Sequence, residues 1–373
     1  MAHPEQDLAA ARWPQRGRAP AEAVAPPRDP EPLPTPTGQS PYRMDLDSLL
    51  PAAEMAEIRG AGHLTFHVVG DVGGIKRPEF QMAVTGAMAN QAHDAHDPPR
   101  FLYLLGDVVY YNGEAGEYYP QFYEPYADYP APILAVPGNH DGTPIDQNSP
   151  SLAAFVTNFC ASNPQVSPDS RDVRRLTMNQ PNVYFTLTTP FVTVIGMYDN
   201  VVADGYLDED QRRWLAAEMR AAPDDRPMIL ASHHPMLSLD MFHGPSEYME
   251  QVIDEAIHSS GRVPTVVFAG HVHNYQRWTH PLPNGNQDPL PFVVSGGGGY
   301  WNLHHIMAPD RSVPALPYTD ERGNQLCNYE DHAHSFTRVE ARADGITIWQ
   351  FRVDDTPGSV ATTLVEKASF PKR

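Results

Sequence analysis

Five short apolar runs punctuate the chain: Leu64–Gly70, Phe101–Gly106, Ile133–Pro137, Met228–Ser232 and Thr265–Gly270, each bounded by Gly, Pro or Asp. Continuous runs of this length predict strands buried on both faces. Between them the spacing of apolar residues predicts helices over Glu79–Asn90, Ser151–Phe159, Asp208–Arg220 and Ser246–Ser259. Asp208 is placed to cap the third helix, with Gln211 three residues on. Strands alternating with helices argue an α/β layered fold. The pattern then changes. Phe292–Ser295 leads into four glycines, Gly296–Gly299, and Ser335–Ala341 and Ile346–Arg352 predict a hairpin around Asp344-Gly345. Ten prolines fall within the first 41 residues, with little aliphatic material. That composition favours extended chain and cannot pack a core. The expected organisation is an arm over 1–42, a main domain over 43–353 and a C-terminal tail over 354–373.

Charge narrows the function classes. The 373 residues carry 26 Lys+Arg against 46 Asp+Glu, a net charge of −20 with neutral His. A general basic surface for nucleic acid or anionic membrane is excluded. No apolar run is long enough for a membrane-spanning helix. No apolar segment follows the basic residues of the N-terminus, so a cytoplasmic location is expected; a periplasmic or secreted protein with its leader removed would read the same way. Cys160 and Cys327 have no metal-type spacing and are expected as buried free thiols, with a single bridge between them as the alternative. The unusual count is 17 His, the commonest metal ligand.

Polar residues stand where each buried run stops: Gly70-Asp71-Val72-Gly73, Gly106-Asp107-Val108-Val109-Tyr110, Gly138-Asn139-His140-Asp141, His233-His234-Pro235 and Gly270-His271-Val272-His273. In open α/β sheets, ligands bind beyond the carboxyl ends of strands. Five strand ends can therefore deliver carboxylate, phenol, amide and imidazole groups to one place, with no thiolate. His271 and His273 are two apart and face the same way in extended chain. Asp107 and Tyr110 share one tight loop and can reach a common ion. Glycines before Asp71, Asp107, Asn139 and His271 permit sharp turns.

In this order, GDVG, GDVVY, GNHD, ILASH and GHVH resemble the calcineurin-like metallophosphatases, and specifically their purple acid phosphatase branch. The wider superfamily carries Asp-x-His at the first motif; here the third position is Gly73, and Tyr110 supplies the missing ligand. The resemblance covers about residues 64 to 352. It implies a layered β-sandwich of two mixed sheets flanked by helices, with a dinuclear metal site at the strand ends. One metal would be held by Asp71, Asp107, Tyr110 and His273, the other by Asp107, Asn139, His233 and His271, with Asp107 bridging. Pro235 selects His233 over His234 as the ligand. Ferric iron is implied at the Tyr110 position, and iron, zinc or manganese at the Asn139 position. Two carboxylates and a phenolate bring −3 against +5 from the ions, so the site stays attractive to phosphate. The implied reaction is phosphate monoester hydrolysis by in-line attack of a metal-bound hydroxide, with His140 and His243 as outer acid–base groups. Phosphodiesterase or nucleotidase activity is the alternative on the same scaffold. The expected partner is a small phosphate ester, with no nucleic acid or membrane.

Other residues have plainer expectations. Seven tyrosines between 110 and 129 read as packing, Tyr110 excepted. His304-His305, His332 and His334 read as outer-loop residues. His67 reads as a core histidine, and Gly296–Gly299 as a close-approach loop near the site. Asn112 either meets substrate or turns its loop. Asp141 is either a cap or a carboxylate supporting the ligands.

Overall fold

The computed structural model describes residues 29–373 apart from 94, 95, 147, 283–287 and 357. The arm expected over 1–42 therefore lies mostly outside the described residues. Its final part docks on the body: Glu31 N–H donates to Asn200, Gly38 N–H to the Pro181 carbonyl and Trp214 Nε1–H to the Pro41 carbonyl.

The strands of the described residues form two mixed sheets. In chain order they are β1 (Arg43–Asp45), β2 (Leu64–Val69), β3 (Leu102–Leu105), β4 (Ile133–Val136), β5 (Phe185–Thr188), β6 (Thr193–Gly196), β7 (Met228–Ala231) and β8 (Val266–Ala269). Then come β9 (Tyr275–His280), β10 (Leu290–Ser295), β11 (Tyr318–Thr319), β12 (Gln325–Glu330), β13 (Ser335–Arg342), β14 (Gly345–Val353) and β15 (Thr362–Pro371). One sheet runs β15-β14-β13-β2-β3-β4, with β2, β3 and β4 parallel. The other runs β1-β5-β6-β7-β8-β10-β9-β12-β11, with β6, β7, β8 and β10 parallel.

The five apolar runs are five of these parallel strands, and every residue in them is buried. The reason is layering. Phe66, Val68, Tyr103, Leu105, Leu134 and Val136 of one sheet meet Leu187, Val194, Ile229, Ala231, Phe268 and Val293 of the other between the sheets. The alternate residues, such as Leu104, Ala135, Leu230 and Val267, point outward and are covered by helices. The helices are α1 (Ala52–Ala61), α2 (Pro78–Ala92), α3 (Asn139–Gly142), α4 (Ala153–Phe159), α5 (Glu209–Ala221) and α6 (Glu247–Ser260). Asp208 caps α5 by accepting the Gln211 N–H at 2.7 Å, and Trp214, Leu215 and Met219 form its buried stripe. Among the described residues no helix is long and apolar enough to cross a membrane. Both cysteines are free thiols, Cys160 buried and Cys327 half-buried.

The tail expected over 354–373 is corrected by β15, which pairs antiparallel with the whole of β14 and extends the sheet beyond 353. Its sequence hides the strand, since Thr362, Thr363 and Leu364 are exposed and Phe370 alone is fully buried. Glu366 on β15 also ties the sheets together, accepting from Tyr275 Oη at 2.7 Å and Arg277 Nε at 2.9 Å on β9.

Candidate metal centre

Both sheets end their parallel strands on the same side. Asp71, Asp107, His233 and His271 each stand two residues past the end of a strand: β2, β3, β7 and β8 respectively. Asn139 opens α3, just beyond β4. Three of these residues have left-handed backbone: φ is +60° at Asp71, +52° at Asp107 and +67° at His271. This conformation turns the chain sharply at the strand end, at a cost of about 1–3 kcal/mol for a residue that is not glycine. It is held by a ladder joining the turns: Asp71 N–H donates to Gly106 O at 3.0 Å, Val72 N–H to Asp107 O at 3.1 Å and His271 N–H to Asp71 Oδ2 at 2.8 Å. Gly106 has φ +93°, and a Cβ there would lie 2.6 Å from His233 Nδ1 and 2.7 Å from Gly138 N. Close approach of the turns needs glycine at this point.

The polar side chains meet in two adjoining groups. Around Asp71 Oδ1 lie Tyr110 Oη at 3.4 Å and His273 Nε2 at 3.5 Å. Around His233 Nε2 lie Asn139 Oδ1 at 3.1 Å, Asp107 Oδ2 at 3.3 Å and His271 Nδ1 at 3.3 Å. The tautomers suit ligation. His233 Nδ1 faces the Leu105 carbonyl at 2.7 Å and His273 Nδ1 faces that of Asn302 at 2.8 Å. Each carbonyl accepts an Nδ1–H, which leaves Nε2 of both rings with its lone pair toward the carboxylates.

Gly73 and Tyr110 fit each other. A Cβ at 73 would lie 2.6 Å from Tyr110 Cδ2, so the tyrosine ring occupies the space a side chain at 73 would need. The main chain of Tyr110 is held by Gln121, whose Oε1 accepts the Tyr110 N–H at 2.9 Å while its Nε2 donates to the Tyr110 carbonyl at 2.6 Å. Tyr300 covers the Tyr110 ring with centroids 4.2 Å apart. Of the other six tyrosines of the cluster, Tyr118, Tyr123, Tyr126 and Tyr129 are buried and Tyr111 and Tyr119 are half-buried.

Electrostatics couple the two groups. Burial opposes ionisation of Asp107, but the neighbouring His233 and His140 outweigh it and hold the carboxyl below the usual range. Burial likewise opposes protonation of His233, yet Asp107 and then Asp71 raise its pKa to about 10. His273 is raised in the same way by Asp71 against burial. His271 goes down, through burial and then its imidazole neighbours His243, His234 and His233. A pocket whose carboxylates pull a proton onto buried imidazoles attracts positive charge, and a metal ion and a proton compete for the same nitrogen lone pairs.

The outer residues are placed as follows. His140 is half-buried, with Nδ1 at 2.9 Å from the Tyr111 carbonyl and its ring 4.5 Å from that of Tyr110. His243 lies over His271 with ring centroids 4.3 Å apart, and its N–H donates to Asp240 Oδ2 at 3.0 Å. His234 turns to Asp199, with Nδ1 3.1 Å from Oδ1. Asn112 braces its loop against the Thr143 carbonyl at 3.4 Å. Asp141 fills both roles open to it. Its Oδ2 accepts the Gly138 N–H at the start of α3, and its carboxylate accepts the N–H groups of Val108 and Val109 in the Asp107 loop. Burial and the charge of Asp107 raise its pKa to about 7.

Several supporting residues are not visible in the sequence. Gln121, Asp199 and Asp240 act through backbone N–H groups of the site loops, so no spacing marks them. His304 departs from its outer-loop expectation: it is buried and stacks on His273 with centroids 4.1 Å apart. His334 is also buried, with Nε2 3.0 Å from the Tyr300 carbonyl, whereas His305 and His332 are exposed. Gly296 passes close to Asp71, where a Cβ would lie 2.7 Å from Oδ2.

The donor set of carboxylates, phenol, amide oxygen and imidazoles fits hard to borderline cations. The calcineurin-like phosphoesterase family model matches residues 64–275. The match spans strand ends in both sheets and more than half of the chain, so this chain belongs to the calcineurin-like phosphoesterase family. Among curated proteins the chain is similar to purple acid phosphatases. Purple acid phosphatase 15 of Arabidopsis thaliana is 23% identical over 295 residues, covering 71% of this chain and 49% of that protein. Purple acid phosphatase 21 of Arabidopsis thaliana is 25% identical over 178 residues, covering 45% of this chain and 36% of its own. The chain thus spans half or less of the length of these curated relatives. Among solved structures, GAP50, described as the anchor in the inner membrane complex of Plasmodium, shares the fold with a TM-score of 0.56 at 13% identity, over 83% of this chain and 89% of that one. PhoD shares it with a TM-score of 0.53 at 12% identity, over 83% and 70%.

Proposed function

We propose that this chain is a purple-type acid phosphatase that hydrolyses phosphate monoesters with two metal ions. The observation that carries the reading is the mutual fit of Gly73 and Tyr110 beside Asp71 and His273, next to the group of Asp107, Asn139, His233 and His271. Asp71, Asp107, Tyr110 and His273 would hold ferric iron, because a phenolate favours a harder, more highly charged ion. Asp107, Asn139, His233 and His271 would hold iron, zinc or manganese. When bound, the ions would supply Lewis acidity toward the phosphoryl oxygens and an acidified water as nucleophile.

The chain's own residues do the remaining work. Asp107 would be shared by the two ions, and it fixes His140 by accepting its N–H at 2.9 Å. His140 directs Nδ1 to the Tyr111 carbonyl, so Nε2 is the atom that carries a proton to the leaving alkoxide. His243, over His271, would offer a second proton donor. Asp141 keeps the Asp107 and Asn139 loops in register.

Metal analysis together with a visible spectrum tests this. The expected result is iron in the protein and a tyrosinate charge-transfer band that Tyr110→Phe bleaches. Asp107→Asn should lower metal content and abolish turnover of an aryl phosphate. His140→Ala should keep its metal and lose about 10²–10⁴-fold in rate. A colourless protein fully loaded with iron would remove the purple-type reading. Faster turnover of a diester than of the matching monoester would move the assignment to phosphodiesterase.

A further inference from the structure

Beyond the strand-end centre, a second group of ligand-type side chains reaches the surface on the loop that carries His304. His305 Nδ1 lies 3.6 Å from Asp331 Oδ2, and His332 Nε2 lies 3.4 Å from Asp331 Oδ1. The two imidazole rings are 5.3 Å apart. One donor atom from each of the three residues falls within 4.8 Å of the other two.

Asp331 separates this group from an incidental cluster. The residue is 4% exposed, and its Oδ1 is buried without a hydrogen-bond donor. Its Oδ2 accepts the Ile306 N–H at 2.7 Å. A buried carboxylate oxygen without a donor is costly and calls for a positive partner. Among the described residues no Lys or Arg pairs with it; its ion-pair neighbours are His305 and His332. Two other groups of similar composition already contain a guanidinium. Arg338 and Arg342 engage the His63, Asp97 and Glu340 group, and Arg322 engages the Glu250, Asp254 and His280 group. The His305 and His332 side chains are 52% and 80% exposed, so an ion can enter from solvent and keep water on its open positions.

We propose that His305, Asp331 and His332 form a surface site for a divalent cation of the zinc, copper and nickel group. Two imidazole nitrogens and one carboxylate oxygen, without thiolate, match that group better than calcium or magnesium, which take oxygen ligands. The ion pins the loop after Tyr300 to the turn between β12 and β13. That loop is tied to the strand-end centre by its main chain. Met241 N–H, two residues before His243, donates to the His305 carbonyl at 3.1 Å, and Asn274 Nδ2, next to His273, donates to that of His304 at 2.6 Å. The surface ion therefore stiffens one wall of the centre without sharing a ligand with it, and the proposal stands whether or not the chain is a phosphatase.

The test is equilibrium dialysis of chelator-stripped full-length protein against micromolar free zinc. The expected result is one bound zinc fewer per chain in His332→Ala and in the double variant His305→Ala/His332→Ala than in wild type. The same decrement should appear in an Asp107→Asn background, which separates the surface site from the strand-end centre. Both histidines are exposed, so the variants fold, and circular dichroism checks this. Zinc should also slow amide exchange at Ile306 in wild type and not in His332→Ala. Equal zinc content in wild type and the double variant, in both backgrounds, would overturn the proposal.

Discussion

At position 73 the chain has no side chain, and the Tyr110 ring lies where one would go. The two positions therefore act as one feature, although 36 residues of chain separate them. Gly73→Ala introduces a Cβ 2.6 Å from Tyr110 Cδ2, which is closer than a real Cβ contact. The ring must shift, so the variant should weaken or move the tyrosinate band while keeping its secondary structure; an unchanged band would uncouple the two positions. His67 offers a second residue-scale test, away from the centre. It is buried with Nδ1 3.1 Å from Tyr129 Oη and Nε2 3.2 Å from Gln91 Oε1, and burial lowers its pKa to about 3. The unfolded imidazole titrates near 6.5. Below that pH the unfolded chain gains a proton that the folded chain refuses, so stability falls as pH drops from 6.5 toward 3. The slope is at most about 1.4 kcal/mol per pH unit, or roughly 2 kcal/mol between pH 6.5 and 5. Urea unfolding at pH 7.5 and 5 should show a drop smaller by about that amount in His67→Gln than in wild type. Equal drops would mean that another group carries the dependence.

At the scale of elements, legibility followed burial. The parallel strands β2, β3, β4, β7 and β8 are apolar on both faces because each lies between the other sheet and a helix layer, so their runs stand out in the sequence. The candidate ligands are readable for the same reason, since an apolar run that stops on Asp, Asn or His is conspicuous. Strands that depend on neighbours were not readable. Residues Tyr275–His280 and Gln325–Glu330 mix Gln, Arg, Asn and Glu with apolar residues, and become strands by pairing with each other and with β10. The strand β15 is mostly exposed on one face and carries Glu366 and Lys367 mid-strand. The supporting layer of the centre is hidden for a different reason: Gln121 holds the main chain of Tyr110 and Asp199 that of His233, and the backbone accepts partners of many residue types. Glu366 makes the element-scale prediction. Its side chain is 10% exposed, and it holds Arg277, which is 19% exposed, together with Tyr275 across the sheets. Removing one partner of a buried pair leaves the other charge uncompensated, at about 3–5 kcal/mol. Glu366→Ala should lower denaturant stability by an amount of that order, and bound metal should not change. A loss under about 1 kcal/mol would show that solvent reaches the pair and screens it.

At the scale of the whole molecule, the net charge of −20 and the proposed substrate have the same sign. The two act over different distances. Close in, the ions proposed for the strand-end centre give a positive target. Farther out, the 46 acidic residues outnumber the 26 basic ones, and an incoming phosphate ester meets a repulsive field first. Salt acts on the outer field more strongly. The Debye length contracts from about 30 Å at 0.01 M to about 8 Å at 0.15 M, so the distant surface charges are screened while contacts of a few ångströms are screened less. Raising sodium chloride across that range should therefore increase kcat/KM for a dianionic aryl phosphate, by several-fold, and leave kcat nearly constant. The opposite dependence is expected for a protein that steers its substrate with a basic surface. The same acidic field concentrates divalent cations around the molecule, so loading of both the strand-end centre and the His305–Asp331–His332 site should weaken as salt rises. Steady-state kinetics on fully metallated protein, with metal content measured at each ionic strength, separates the two effects. A fall in kcat/KM at constant metal content would show that the local positive charge of the centre governs approach at long range as well.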